Sequence, residues 1–372
     1  MKLEMVQMMI KLYKAVYGAT KPFIPTVLAT QNKIVIDSGT THVFIDYPGC
    51  IEGLESRAII LDKKTLEQMG KVKKDIVFKP DGWVAGAVAH QTDWEYYLGG
   101  MTDESLDSVM DLRKVQSIEL DALDFKAGIQ AVKTAIRDND QTKARPVLAN
   151  MAFKNGELVG IDGFRVHTYE LKKDIEAGGL ALITKAAFSV LEKLITKKDN
   201  KLMYTFDGDG SEWSLFKYGN VRVYSRSVGE YMNYEQVFSE LPIEVKVYPE
   251  ELYNLVEQIK NEKAVKPSAI LSLPTGNKVE TLKVELHAQE SDAPVVKIED
   301  SLPVEVYATN GKARENLHIA FNPQYLSEAI KPIKCEDEVT LYFGTNLGPM
   351  VVKGGQVKNL ILPIRIRDYG RN

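Results

Sequence analysis

The sequence predicts an α+β protein of three similar domains, each made of two units in which one helix is followed by antiparallel strands. Amphipathic helical patterns recur about every 60 to 75 residues, a repeat that sets the architecture. Between them lie short runs in which apolar and polar residues alternate, as in half-buried strands. Helices combined with antiparallel strands are typical of α+β folds, in which the helices cover one face of a sheet.

Six segments carry the helical pattern. The third is the clearest, because its apolar residues recur at the spacing that places them along one side of a helix. That stripe consists of Phe125, Ile129, Val132 and Ile136. The six segments begin near Met5, Lys63, Ala122, Thr184, Pro249 and Pro323.

The strand pattern is strongest in residues 221–226, 281–288 and 339–343. Two helix-plus-strand units give a domain of about 120 residues, a usual size for one hydrophobic core. The 372 residues therefore divide into three domains. Their predicted bounds are 1–116, 117–240 and 241–372, with the first boundary in the acidic stretch 103–115 and the second near 239–243.

Composition indicates a soluble protein, since 44% of the residues are hydrophobic and 26% are charged. No run approaches the roughly 18 unbroken apolar residues of a membrane span. Lysines interrupt the apolar N-terminal segment, which is therefore not expected to be a signal peptide. Cys50 and Cys335 match no metal or redox spacing, so a reducing cytoplasm is the expected location.

Positive charge is concentrated on the predicted helices, although the formal net charge of the chain is −4. The third helix carries a polar run parallel to its apolar stripe, and the fifth departs from the pattern with four glutamates. Such a distribution predicts a surface that attracts phosphates. The alternative is that these lysines are ordinary solvated residues of exposed helix faces. The polar run of the third helix is Lys126, Gln130, Lys133 and Arg137.

Signatures of catalysis and of cofactor binding are missing from the sequence. The five histidines stand singly, and there is no phosphate-binding glycine loop or nucleophile elbow. Residues 207–212 are interpreted as a hairpin turn instead of a calcium loop, and Asp162 with Gly163 as a tight turn. We therefore expect no enzyme, metal or cofactor. An unrelated enzyme with a repeated α+β fold is kept as an alternative.

Several short motifs carry a family resemblance. Residues 145–153 read Arg-Pro-Val-Leu-Ala-Asn-Met-Ala-Phe, and residues 160–166 read Gly-Ile-Asp-Gly-Phe-Arg-Val. Residues 321–326 read Phe-Asn-Pro-Gln-Tyr-Leu, and residues 360–366 read Leu-Ile-Leu-Pro-Ile-Arg-Ile. In this order and at this spacing they resemble the β subunit of bacterial DNA polymerase III, the β sliding clamp, in which the Arg-Pro-x-Leu motif and the last motif are strands.

The resemblance covers residues 118–366 well and the first domain weakly, through Lys21-Pro-Phe-Ile-Pro. The sequence departs from the family at two places. Phe164 stands where the family commonly has histidine, and residues 367–372 extend beyond the usual end.

This resemblance implies a DNA-clamp fold and a head-to-tail homodimeric ring that encircles double-stranded DNA without sequence preference. The implied partners are the replicative DNA polymerase, the clamp loader and other proteins with a clamp-binding motif. The implied location is the cytoplasm, on the nucleoid and not at a membrane. The alternative is a clamp-fold decoy or regulator of the replisome that binds clamp partners without being loaded processively. The expected DNA-binding residues are Lys21, Lys63, Lys64, Lys143, Arg145, Lys185 and Lys198.

The resemblance also implies an apolar cleft that binds partner peptides between the second and third domains. Arg165 and Arg365 are expected to hydrogen-bond the peptide backbone at its rim, and Phe164 to reshape the cleft. The alternative is that some aliphatic members are ordinary core. The cleft residues are Leu148, Ile161, Gly163, Phe164, Arg165, Val166, Asn322, Tyr325, Pro349, Leu360, Leu362, Pro363, Ile364 and Arg365.

The subunit seam is expected to bring two residues of the first domain against three of the third. The third-domain residues could equally be strand core. The five are Tyr96, Leu98, Ala269, Ile270 and Leu271.

Overall fold

The structure, a computed structural model, divides into two compact units. Unit 1 comprises Met1–Ile129, Asn150–Gly156 and Lys173–Glu230, and unit 2 comprises Gln130–Ala149, Glu157–Lys172 and Tyr231–Asn372. The predicted division into three domains stays a prediction. The structure describes residues 1–51, 58–92, 94–96, 115–136, 145–172, 175, 180–196, 201–207, 213–226, 229–238, 241–261, 268–273, 281–290, 293–308 and 317–365.

All six predicted helices are present. Four begin at side-chain caps, which satisfy backbone N–H groups that have no partner in the first turn. Asp62 accepts from the N–H of Thr65 at 2.7 Å, and Asn322 accepts from that of Gln324 at 2.9 Å. The helices are α1 (Leu3–Thr20), α2 (Lys63–Met69), α3 (Ala122–Val132), α4 (Lys185–Leu194), α5 (Pro249–Asn261) and α6 (Pro323–Ile330).

Unit 1 is built on a nine-stranded antiparallel sheet, and α1 packs against α4. Numbered along the chain, the strands are β1 (Thr26–Ala29), β2 (Lys33–Asp37), β3 (Thr41–Asp46), β4 (Ile59–Ile60), β5 (Ile76–Lys79), β6 (Gly82–Ala85), β7 (Val88–Gln91), β8 (Glu95–Tyr96), β9 (Val115–Leu120), β10 (Met151–Lys154), β13 (Ala181–Ile183), β14 (Leu202–Asp207), β15 (Trp213–Tyr218) and β16 (Val221–Arg226). The sheet order is β8-β4-β1-β2-β3-β16-β15-β14-β9; β5-β6-β7 form a second sheet, and β10 pairs with β13.

The strands of unit 2 are β11 (Glu157–Ile161), β12 (Arg165–Glu170), β17 (Ile243–Val247), β18 (Ser268–Ser272), β19 (Thr281–Glu290), β20 (Ala293–Pro303), β21 (Glu305–Ala308), β22 (His318–Phe321), β23 (Val339–Phe343), β24 (Met350–Gly354) and β25 (Val357–Ile361). They lie in the order β11-β12-β25-β24-β23-β17-β21 and in a four-stranded sheet in the order β20-β19-β18-β22, all antiparallel, with α5 packed against α6. The strands predicted over 221–226, 281–288 and 339–343 are confirmed.

Two expected strands are shorter than their motifs. Pro146–Ala149 is a 3-10 helix, closed by the N–H of Leu148 donating to the carbonyl of Arg145 at 3.0 Å, and a strand begins only at Met151. The last strand ends at Ile361, and beyond it Ile364 makes a single bridge to Ala320. Proline explains both differences, because Pro146 and Pro363 cannot donate a backbone N–H to a ladder.

Candidate peptide cleft and basic surface

A tight turn at the start of β12 places Phe164 on the surface of unit 2. The buried carboxylate of Asp162 accepts the N–H groups of Phe164 at 3.0 Å and of Arg165 at 3.1 Å. Gly163 lies at φ 87°, in the left-handed region that favours glycine. The predicted Asp-Gly turn is confirmed, and the Phe164 ring is left 43% exposed.

Arg165 points into the protein from the same turn. Its Nε donates to Asp162 Oδ2 at 3.0 Å, and its other nitrogens donate to Glu328 on α6 and to the carbonyl of Thr134. Only 1% of the residue is exposed. The expected position of Arg165 at the rim is therefore wrong, because a buried guanidinium requires charged and hydrogen-bonding partners inside the protein, and Arg165 has them.

Tyr325 links this buried cation to the surface. Its ring centroid lies 4.2 Å from the guanidinium carbon of Arg165, within the range of a cation–π contact. The same ring is tilted by 32° against Phe164, with 6.4 Å between the two centroids. Arg165 thus links α6 to the turn. The rings of Tyr325 and Phe164 lie next to each other, and that of Tyr325 contacts Arg165.

The segment after β25 completes the apolar surface. The N–H of Leu362 donates to the carbonyl of Phe164 at 2.9 Å, and that of Ile364 donates to the carbonyl of Ala320 at 2.7 Å. Leu362 is 42% exposed and Ile364 is 36% exposed. We define the cleft as the exposed or half-buried side chains of Phe164, Tyr325, Leu362 and Ile364, all in unit 2.

The remaining predicted cleft residues divide by burial. Leu148, Ile161, Val166 and Leu360 are buried and belong to the core. Gly163 and Arg365 are exposed, while Pro349 and Pro363 are half-buried. The half-buried Asn322 uses its side-chain oxygen to cap α6.

One exposed apolar residue near the cleft was not predicted from the sequence. Leu347 is 72% exposed in the loop between β23 and β24. Its neighbour Asn346 accepts the N–H of His318 at 2.9 Å, and His318 lies on β22, the strand that bridges to Ile364 through Ala320. The exposure of Leu347 cannot be predicted from the sequence, because an isolated leucine in a loop can be either buried or exposed.

Three of the predicted DNA-binding lysines form a basic surface in unit 1. Lys21, Lys63 and Lys64 are exposed where α1 ends and α2 begins. The ammonium groups of Lys21 and Lys63 lie 5.3 Å and 5.2 Å from the centroid of the same ring, that of Tyr17. The ring therefore gathers two cations that are distant in sequence.

The other predicted DNA-binding residues are not gathered in this way. Lys185 is half-buried at the start of α4, and Arg145 is exposed in unit 2. Lys143 and Lys198 lie outside the described residues, as does Arg137 of the polar run on the third helix. Lys126 from that run donates to the carbonyl of Ile195 at 2.8 Å, so its ammonium group serves an internal contact.

Three of the residues predicted for the subunit seam are apolar because they belong to the core of unit 2. Ala269, Ile270 and Leu271 lie on β18, between β19 and β22, and all three are fully buried. The core of unit 2 thus accounts for their apolar character. Tyr96 belongs to β8, the last strand at one side of its sheet in the described part of the chain, and Leu98 lies outside that part. The seam stays a prediction.

Within the described ranges, no group of three or more His, Cys, Asp or Glu residues is arranged to hold a metal ion. None of the described helices is both long and apolar enough to span a membrane.

Comparison with known proteins shows which proteins the chain resembles. No family model matches it. It is 25% identical over 281 residues to the β sliding clamp of Staphylococcus epidermidis, a match that covers 73% of this chain and 70% of the relative. The structure resembles a putative DNA polymerase III β subunit from Eubacterium rectale, with a TM-score of 0.73, 19% identity, and coverage of 96% of this chain and 97% of the other.

The DNA polymerase III β subunit of Thermotoga maritima gives a TM-score of 0.74 at 14% identity, covering 99% of each chain. These structural similarities establish the α+β clamp fold, and the sequence match extends over most of its length. In sequence the chain is similar to bacterial β sliding clamps, and its fold is that of DNA polymerase III β subunits.

Proposed function

We propose that this chain is a DNA sliding clamp, a processivity factor without catalytic activity of its own. Two copies would close head to tail around duplex DNA and tether a replicative DNA polymerase and other proteins. The main support is the likeness in fold to DNA polymerase III β subunits, which extends over nearly the whole of both chains.

The basic surface supports the contact with DNA. Lys21, Lys63 and Lys64 are exposed cations on flexible stems, which suit contacts with phosphates instead of base edges. A ring holds DNA by enclosing it, so each such contact can be weak and still permit sliding. Contacts with phosphates are also blind to sequence, as a sliding protein requires.

Backbone edges support association between copies. Among the described residues, β8 is the end strand of its sheet in unit 1, and β20 is an end strand of the four-stranded sheet in unit 2. An end strand presents unpaired N–H and C=O groups that a second chain can pair with. A head-to-tail contact between such edges, repeated by two-fold symmetry, would close a ring.

The cleft supports the tethering of partners. Phe164, Leu362 and Ile364 expose apolar surface side by side, and Arg365 is exposed next to them. Exposed apolar groups that cluster on a soluble protein mark interaction sites. An extended peptide with large aliphatic or aromatic side chains would cover these residues, and Arg365 could donate to its carbonyl groups.

The test is retention on circular DNA. A ring should elute at twice the 41.7 kDa of one chain. After loading by a clamp loader, it should remain on nicked circular DNA through a high-salt wash and be lost when that DNA is cut once. Retention that is the same on circular and linear DNA would contradict the proposal. Binding of polymerase peptides without any retention would favour the decoy.

A further inference from the structure

The loop after α1 exposes two large apolar side chains. Phe23 is 77% exposed, the highest value among the large apolar residues of the described chain, and Ile24 is 58% exposed. Neither side chain belongs to the cleft, which lies in unit 2. We call residues 21–24 the basic–aromatic loop, because Lys21 begins it and Phe23 projects from it.

The loop is held to the end of α1 by two hydrogen bonds, one from the backbone and one from the hydroxyl of Thr20. The N–H of Phe23 donates to the carbonyl of Thr20 at 2.9 Å. The hydroxyl of Thr20 lies 3.2 Å from the carbonyl of Phe23 and 3.0 Å from that of Val16. The backbone on both sides of the exposed ring is therefore fixed, which lowers the entropy lost when the ring binds a partner.

Cations lie at the end of α1 that carries this loop. Lys21 of the loop and Lys63 of α2 share the ring of Tyr17, and Lys64 follows Lys63 and is also exposed. Of the carboxylates at and within α2, Asp62 is used to cap the helix, and Glu67 lies 3.9 Å from Lys63. Exposed cations at the end of the helix, together with the exposed ring of Phe23, fit a partner that carries both phosphates and flat apolar groups.

We propose that the basic–aromatic loop binds single-stranded DNA, including the unpaired strand where a duplex ends. Phe23 stacks on an unpaired base, and the lysines contact the neighbouring phosphates. This pairing of aromatic stacking with a cationic track is how proteins hold single strands without sequence preference. The bases of an intact duplex are already stacked on one another, so Phe23 gains no such contact there.

A lipid surface is the weaker match to the loop. Stable binding to a membrane needs the apolar face of an amphipathic helix or an added acyl chain, and the loop offers two side chains. The proposal extends the proposed DNA function to a specific structure of DNA, the exposed single strand. It can be tested with short oligonucleotides that require no loading.

The test uses the full chain with Phe23→Ala, Phe23→Trp and a control, Val77→Ala, which trims a 57% exposed apolar residue of β5. Fluorescence anisotropy at low salt measures binding to an oligothymidylate, to a duplex with a single-stranded overhang and to a blunt duplex. We expect Phe23→Ala to weaken binding of the first two by roughly 5- to 50-fold, from the loss of one stacked base. Phe23→Trp should restore it, and Val77→Ala should change nothing.

Other outcomes would overturn the proposal. Unchanged affinity of Phe23→Ala for the oligothymidylate would remove Phe23 from the binding surface, and an equal loss on the blunt duplex would exclude stacking on unpaired bases. The same variants are also tested for binding to vesicles of anionic phospholipid. If Phe23→Ala weakens binding to the vesicles and to none of the DNA ligands, Phe23 contacts a membrane instead. Binding that depends on Phe23, in a protein that fails the circular-DNA test, would contradict only the proposed clamp function.

Discussion

At the scale of single residues, Arg165 sets the geometry of the cleft without reaching its surface. It joins Asp162 in the turn to Glu328 on α6 and supports the ring of Tyr325. Removing one member of a buried charge network leaves the others unpaired and costs several kcal/mol, roughly 3 to 5. The distance between Phe164 and Tyr325 thus depends on a side chain that a bound peptide would not touch.

Leu362 and Ile364 offer the direct test of the cleft. The double change Leu362→Ala with Ile364→Ala should weaken binding of a polymerase-derived peptide by roughly 10- to 100-fold, because two exposed aliphatic contacts are lost. Fluorescence polarisation with a labelled peptide measures it, and the elution volume should not change. Leu180→Ala, which trims another residue that is 40% exposed, is the control. Equal affinity in all variants would remove these residues from the cleft.

At the scale of elements, α5 and α6 are joined by Glu257. Its carboxylate accepts hydrogen bonds from Lys260 on its own helix and from Ser327 on α6. Burial raises the pKa of Glu257, but the hydrogen bonds from Lys260 and Ser327 together with the charges of Lys260 and Lys331 outweigh burial, and the pKa is lowered. A lowered pKa means that the folded protein binds the ionised form better than the unfolded chain does.

The stability that the ionised Glu257 contributes should depend on pH. It is fully present above the ordinary carboxyl pKa of 4.5 and is lost as the pH falls through the lower folded value. Glu257→Gln should therefore lower the free energy of unfolding by about 1 kcal/mol at neutral pH and by much less in acid. Urea denaturation at both pH values measures it, with the exposed Glu170→Gln as control. If Glu257→Gln lowers the free energy of unfolding equally at both pH values, the charge of Glu257 does not contribute to stability.

The helices could be predicted from the sequence, whereas contacts between distant residues could not. The spacing of apolar residues predicted the helices, and the structure adds that Asp62, Thr184 and Asn322 each cap the helix that follows. The burial of Arg165 had no local signal, because it depends on Glu328, 163 positions away. Lys126 appeared free on its helix, and only the fold brings the carbonyl of Ile195 to it.

At the scale of the whole molecule, the two cysteines report on folding. Burial raises the pKa of the Cys50 thiol to about 12, whereas Cys335 is exposed. At pH 8 we expect iodoacetamide to modify Cys335 in the folded protein and Cys50 only after unfolding, because the thiolate is the reactive form. Mass spectrometry of the digested protein, labelled with and without guanidinium, checks this. Rapid labelling of folded Cys50 would contradict its burial.

The raised pKa of Cys50 also lowers the stability of the protein in alkaline solution. Above the ordinary thiol value of 9.0, the unfolded chain releases the Cys50 proton while the folded chain keeps it. The unfolded state then binds fewer protons, so the free energy of unfolding falls as the pH rises.

The central sheet of unit 1 has a consequence for how the protein is made. β3 pairs with β16, so that Val43 lies opposite Val223. At roughly 5 to 20 residues per second, a ribosome needs about ten seconds or more between synthesising these strands. Throughout that interval the edge of β3, which includes Val43, Phe44 and Ile45, lacks the strand with which it pairs in the folded protein. Shielding by chaperones during translation should therefore decide how much soluble protein a cell obtains, and release of a chain cut short before β16 should produce aggregates.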